Sequence, residues 1–190
     1  MRITGGAWRS RRLKGPSRGS TTRPTPDAMR ERCFAVLRDR VVGARVLDLF
    51  AGTGAVGLEA LSRGAASAVF VESHRPAAGL VSANLRALEV APERAAVLVK
   101  PAARAVVELA RRGQRFDLVW ADPPFESWRD GLDVLIAAAA AGLLGDDATL
   151  CLECPGDADV AGGLGPDLTI ERDLAGGASR VVILRPAATG

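Results

Sequence analysis

The stretch Val46-Leu-Asp-Leu-Phe-Ala-Gly-Thr-Gly-Ala-Val-Gly57 places Gly52, Gly54 and Gly57 at the G-x-G-x-x-G spacing. In that pattern a strand turns tightly into a helix and leaves room for a cofactor to pass over the loop. An acid stands where a dinucleotide site wants one. Glu72 lies twenty residues after Gly52, at the end of the apolar run Ala68-Val-Phe-Val71. Spacing alone therefore fits a nicotinamide dinucleotide.

Asp48 argues for a different ligand. A dinucleotide brings a pyrophosphate against the loop N–H groups and the positive end of the helix. Asp48 occupies the last turn of the strand, four residues before Gly52, and is expected to face the same crevice. Two like unit charges ~6 Å apart at an effective dielectric of ~20 repel by roughly 3 kcal/mol. Such an acid disfavours a pyrophosphate and favours a cation. S-adenosylmethionine carries a sulfonium and an ammonium with no phosphate, and its approach still requires loop residues without side chains. Glu72 accepts hydrogen bonds from ribose hydroxyls with either ligand. The plainer role for Asp48 is to cap the loop.

Outward from this loop, short apolar runs alternate with amphipathic stretches. Strands are expected near 45–49, 67–72, 95–99, 116–120 and 148–153, with helices near 55–63, 77–88, 102–111 and 129–141. That alternation predicts an α/β fold, a parallel sheet covered by helices on both faces. A further helix is expected to start around Thr25-Pro26-Asp27 and to end near Asp39, with Met29, Cys33, Phe34 and Leu37 at helical spacing. In the tail, the runs at 168–172 and 179–184 have only a Gly/Ala-rich turn between them. They predict a hairpin with one strand antiparallel to the rest.

At 190 residues, 48% of them hydrophobic, the chain suits one main domain. No run of eighteen apolar residues and no secretory h-region is visible, so no membrane contact is expected. Cys33, Cys151 and Cys154 are an odd number and suggest no disulfide framework. A cytoplasmic location is expected. The net charge is only +3, yet residues 1–24 hold seven bases and no acid. Residues 1–45 sum to +9 and the remainder to −6. A basic head on a mildly acidic body points to a polyanion contact, and Ile3, Trp8 and Leu13 interleave the charges as a packed hairpin would. Cys151-Leu-Glu-Cys154 with a distant His74 cannot supply four zinc ligands, so no metal is expected.

The strand Phe116-Asp-Leu-Val-Trp120 runs into Ala121-Asp-Pro-Pro-Phe125. Asp122-Pro-Pro-Phe125 resembles the motif of methyltransferases that modify exocyclic amines of bases, and also glutamine amides. A base amine is a poor nucleophile because its lone pair is delocalised into the ring. Acceptors on its N–H hydrogens localise that pair. The Asp122 carboxylate and the Pro123 carbonyl can serve as two such acceptors, with the prolines fixing the backbone that aims them. Phe125 would stack on the base. Two prolines leaving a strand also make an ordinary turn, but one at the end of the fourth strand, which the methyltransferase strand order would place beside the first, is where this chemistry belongs.

Together these residues resemble the bacterial RsmD family, and the likeness covers nearly the whole chain. Arg2-Ile-Thr-Gly-Gly-Ala-Trp-Arg-Ser-Arg-Arg-Leu13 is similar to that family's basic first hairpin. Arg23-Pro-Thr-Pro-Asp-Ala-Met-Arg-Glu-Arg-Cys-Phe34 is similar to its R-P-T-x-D-x-x-R-E-x-x-F segment, and Leu47 to Ala65 resembles its cofactor loop and first helix. The resemblance implies a Rossmann-like class I fold whose seven-stranded, mostly parallel sheet ends in an antiparallel hairpin. A basic N-terminal hairpin over residues 1–24 would precede a methyltransferase domain over 25–190. By the same likeness, Asp48, Phe50, Ala51, Gly52, Thr53, Gly54, Glu72, Ser73, Ala102 and Asp122 would contact S-adenosylmethionine. Asp122, Pro123, Pro124 and Phe125 would hold the target amine, and Arg9, Arg11, Arg12, Lys14, Arg18, Arg23 and Arg30 would contact RNA. The implied reaction is methylation of a guanine N2 in 16S ribosomal RNA, naked or in a small-subunit assembly particle, by a monomeric enzyme. The alternatives are an adenine N6 target, an NAD-dependent oxidoreductase, or a noncatalytic RNA-binding protein. Two departures from the family pattern, His74 and Pro101, fall beside the expected cofactor residues.

Overall fold

The computed structural model describes residues 1–15 and 27–187. Seven strands form one sheet in the order β3-β2-β1-β4-β5-β7-β6. They are β1 (Arg45–Leu49), β2 (Ser67–Glu72), β3 (Ala95–Val99), β4 (Phe116–Ala121), β5 (Leu144–Pro155), β6 (Leu168–Gly176) and β7 (Ser179–Pro186). The first five run parallel to one another, whereas β7 pairs antiparallel with both β5 and β6. The expected Rossmann-like class I architecture with its terminal hairpin is what the chain adopts.

Period-2 alternation sorts the strand residues into two cores. On one face Val46, Ala68, Phe70, Leu118, Trp120, Cys151 and Ile183 pack under α1 (Asp27–Leu37), α2 (Ala55–Ser62) and α3 (Arg75–Ala87). On the other, Leu47, Leu49, Val71, Val119, Ala121 and Leu152 pack under α4 (Ala102–Arg111) and α5 (Trp128–Ala140). The apolar positions of α4, namely Ala102, Ala105, Val106 and Leu109, repeat at the spacing that turns one helical stripe to the sheet. Cys151 and Cys154 point to opposite cores, three residues apart on one strand, and do not form a common ligand pair.

The first strands lie at the residues expected, but β5 begins at Leu144 instead of near 148. Its start pairs Phe116 with Leu144, the register then shifts, and Leu118 pairs with Thr149. The intervening Asp146 and Asp147 are strand residues with exposed side chains that meet Arg115 and Arg185, each at 3.5 Å. Their polarity hid them from a hydrophobic reading.

The basic head is packed. Ile3 and Leu13 are buried in the first core and Trp8 packs against it. A single antiparallel bridge joins Arg2 to Arg12, and Leu13 N–H donates to Met1 O. Glu59 in α2 anchors the hairpin: its carboxylate accepts from Thr4 N–H (2.8 Å), Thr4 Oγ1 (2.7 Å) and Gly5 N–H (2.8 Å).

Candidate active site

The strand order reverses direction between β1 and β4, and in open α/β sheets ligands bind outside the carboxyl ends of the strands at such a point. Leu49 pairs with Ala121, so Phe50 and Asp122 leave adjacent strands at the same level. Asp122 N–H reaches Leu49 O at 3.5 Å.

From β1 the chain enters the loop through Phe50, a non-glycine residue at φ 63°, in the left-handed region where such residues store strain. Ala51 N–H donates to Val71 O (2.9 Å) and Gly54 N–H to Ala51 O (2.7 Å). Gly52 N–H donates to Glu72 Oε2 at 2.8 Å, and His74 N–H to the other oxygen, Oε1, at 2.7 Å. A loop N–H that would hold a phosphate in a dinucleotide site is thus bound to a carboxylate. That geometry opposes a pyrophosphate and accommodates a cation.

Asp48 does not face the crevice. It shares the face of Val46, is buried under α2, and accepts from Gly57 N–H through Oδ2 at 2.9 Å. Burial pushes its carboxyl up to about 7, the Gly57 hydrogen bond opposes that rise, and the nearby Glu72 charge adds to it. The carboxylate that disfavours a phosphate at the loop is therefore Glu72, not Asp48, which fastens the loop to the helix. Gly57 is required by close packing, since a Cβ there would lie 2.3 Å from Phe70 Cε1.

Beside the loop, Phe50, Glu72, Ser73 and Ala102 line one cavity of about 160 Å³ together with Val71, Lys100 and Pro101. Pro101 caps α4, so Ala102 brings the first N–H of that helix to the cavity wall, where no helical carbonyl can accept it. Lys100 pairs with Glu108 and is a wall residue that the sequence reading did not single out. His74 is exposed and stands at the start of α3.

Across the switch point, Asp122 is half-buried, Pro123 buried, Pro124 exposed and Phe125 half-buried. Pro123 sits on α5 so closely that a Cβ at Gly131 would lie 2.6 Å from its Cγ. The motif is fixed from behind by this contact and from ahead by a turn in which Ser127 N–H donates to Pro124 O at 2.9 Å. Apolar walls and backbone donors on one side of the switch point, with a carboxylate and an aromatic ring on the other, can hold a cofactor with a flat ring and a cationic centre beside a flat base.

Of the expected RNA contacts, Arg9, Arg11, Arg12 and Lys14 are exposed on the hairpin. Arg11 also donates from Nη2 to Ala87 O at 2.9 Å. Arg18 and Arg23 lie outside the described residues. Arg30 is a correction: it is fully buried and cannot reach RNA. Its guanidinium binds Glu59 Oε2 (3.3 Å), Asp27 Oδ1 (3.0 Å) and the Arg2 carbonyl. Arg30 shares a helical face with Cys33, Phe34 and Leu37, a placement that its reading as an RNA contact overlooked. Glu59, its partner, was missed because an acid in a helix reads as solvent-facing.

The family model described as Conserved hypothetical protein 95 matches residues 1–182. Ribosomal RNA small subunit methyltransferase D of Escherichia coli (strain K12) is 38% identical over 155 residues, covering 80% of this chain and 74% of that one. The chain belongs to the RsmD family. The solved yhhF protein of E. coli is 32% identical with a TM-score of 0.80, covering 100% of this chain and 99% of that one. SMU.776, a methyltransferase structure complexed with SAH, shares the fold at 15% identity with a TM-score of 0.64, over 80% of this chain and 48% of that one. As an RsmD-family methyltransferase, the chain takes its methyl group from S-adenosylmethionine. Among the described residues, no helix is long and apolar enough to cross a membrane.

Proposed function

We propose that this RsmD-family chain methylates the exocyclic N2 of a guanine in 16S ribosomal RNA, acting as a monomer in the cytoplasm. The observation that carries the reading is the position of Asp122-Pro-Pro-Phe125, one strand away from the cofactor loop and at its level. The names of the relatives support a small-subunit RNA substrate. The family likeness, not the motif, favours guanine over adenine.

The site residues fit the cofactor. Phe50, Val71 and Pro101 give apolar walls for a flat ring, the Ala102 N–H a donor to its edge, and Glu72 an acceptor for ribose hydroxyls. Gly52, Thr53 and Gly54 line the path of the methionine portion, and Asp48 and Ala51 hold that loop in shape. The cofactor supplies an electrophilic methyl group on a sulfonium. The base, flipped from its stack at a cost that a loop or single strand keeps low, stacks on Phe125. Asp122 and the Pro123 carbonyl accept the two N2 hydrogens and hold the amine in line. Held in this way, the amine would present its nitrogen lone pair in line to the donor's methyl group, and the proton shed by the methylated nitrogen would pass to solvent. Arg9, Arg11, Arg12 and Lys14 contact phosphates.

Two measurements test the reading. Thermal shift with S-adenosylhomocysteine against NADH should show stabilisation by the first alone. Labelled methyl should pass from the cofactor to undermethylated 30S particles or 16S RNA; a wild-type protein inactive on every small-subunit substrate would contradict the proposal.

A further inference from the structure

The hairpin and the cofactor loop meet at one side chain. Asn84 is 1% exposed and lies in α3, which belongs to neither. Its Oδ1 accepts from Lys14 N–H at 2.7 Å, and its Nδ2 donates to Lys14 O at 3.1 Å and to Thr53 O at 3.0 Å. Both amide hydrogens and the carbonyl are therefore used, two of these bonds on the hairpin and one on the loop. The seat extends beyond this residue. Ala87, one turn further along α3, takes Arg11 Nη2, and Thr53 Oγ1 touches Met1 Sδ at 3.5 Å. The same short segment of α3 thus holds the end of the hairpin that carries Arg11, Arg12 and Lys14, and the loop residue between Gly52 and Gly54.

We propose that Asn84 is a positioning residue that couples the hairpin's hold on RNA to the loop's hold on the methyl donor. The inference rests on the methyltransferase reading of the site. A donor seated on the loop fixes Thr53, Thr53 O fixes the Asn84 amide, and the amide fixes Lys14. RNA bound at the hairpin acts along the same bonds in reverse. Thermodynamic reciprocity requires that each ligand then strengthen the other by the same factor.

The test is calorimetric titration of S-adenosylhomocysteine into the full chain, with and without saturating 16S ribosomal RNA, for wild type and Asn84→Asp. The substitution keeps the size and the acceptor for Lys14 N–H. It replaces the donor with an oxygen that faces two carbonyls. RNA should tighten S-adenosylhomocysteine binding about fivefold or more in the wild type, the lower end of ordinary coupling, and should leave it within twofold, roughly, in the variant. A merely structural role would lower the melting temperature of the variant and leave the ratio as in wild type; that result overturns the proposal. So does a ratio near one in the wild type. Should the variant fail to fold, hydrogen exchange on the wild type carries the test. S-adenosylhomocysteine alone should slow exchange at residues 9–14, and unchanged exchange there overturns the coupling. A wild type that binds no S-adenosylhomocysteine would remove the cofactor reading itself, whereas one that binds it and methylates RNA without coupling removes only the role of Asn84.

Discussion

Two carboxylates on neighbouring strands, Asp48 and Glu72, divide work that the sequence reading shared differently between them. Glu72 holds Gly52 N–H at the mouth of the site, while Asp48 holds Gly57 N–H beneath it. Burying Asp48 raises its carboxyl from 3.8 to about 7, which makes a prediction about stability. Between pH 4 and 7 the folded chain keeps a proton that the unfolded chain has released, so stability falls as pH rises through this window and levels off above it. Asp48→Asn, which can still accept from Gly57, should lack this slope. Unfolding free energies of the two proteins from denaturant titration should diverge in the variant's favour by on the order of 2–4 kcal/mol from pH 4 to pH 8; parallel curves would remove the buried-acid account. Asp122→Ala should abolish methyl transfer while keeping S-adenosylhomocysteine affinity within roughly tenfold, about 1.4 kcal/mol. Loss of both together would make Asp122 a cofactor or structural residue. Asp48 was misjudged because its position in the strand was read as height above the sheet; the period of two, which gives it the face of Val46, was the better guide.

Among the elements, the loop-to-helix unit of β1 and α2 serves both the cofactor and the hairpin. The strands beside it were legible almost residue by residue, because β1, β2 and β3 are apolar runs closed by polar turns. β5 was not, since Asp146 and Asp147 interrupt its pattern where the register shifts. The docking of the hairpin was half legible: Ile3, Trp8 and Leu13 announced packing, but nothing local marked Glu59 as its anchor, because the partners lie more than fifty residues away. Arg30 and Glu59 form a fully buried pair. Glu59→Gln should therefore destabilise the fold by up to about 3–5 kcal/mol, the usual cost of breaking a buried ion pair, because the buried Arg30 then keeps only the partly exposed Asp27 as counter-charge; equilibrium unfolding of the variant measures it, and a loss below about 1 kcal/mol would mean that Asp27 and solvent suffice. Gly57→Ala, which drives a methyl group against Phe70, should cost roughly 1–3 kcal/mol by overpacking.

At the scale of the whole molecule, a basic hairpin is fastened to an α/β body with excess acid, close to a cofactor site that reads no phosphate. Binding of RNA through the hairpin should be strongly salt-dependent, because each phosphate neutralised releases condensed counterions. Arg9→Glu combined with Arg12→Glu should weaken RNA binding and reduce the slope of log affinity against log salt by about 1–2; an unchanged slope would put the RNA elsewhere on the surface. The methylated atom distinguishes a guanine-N2 enzyme from an adenine-N6 enzyme. The wild-type protein should be incubated with undermethylated 30S particles and methyl-labelled S-adenosylmethionine, and the RNA digested to nucleosides for separation and mass analysis. The label should appear as N2-methylguanosine. Label in N6-methyladenosine alone, or in no nucleoside, would contradict the account.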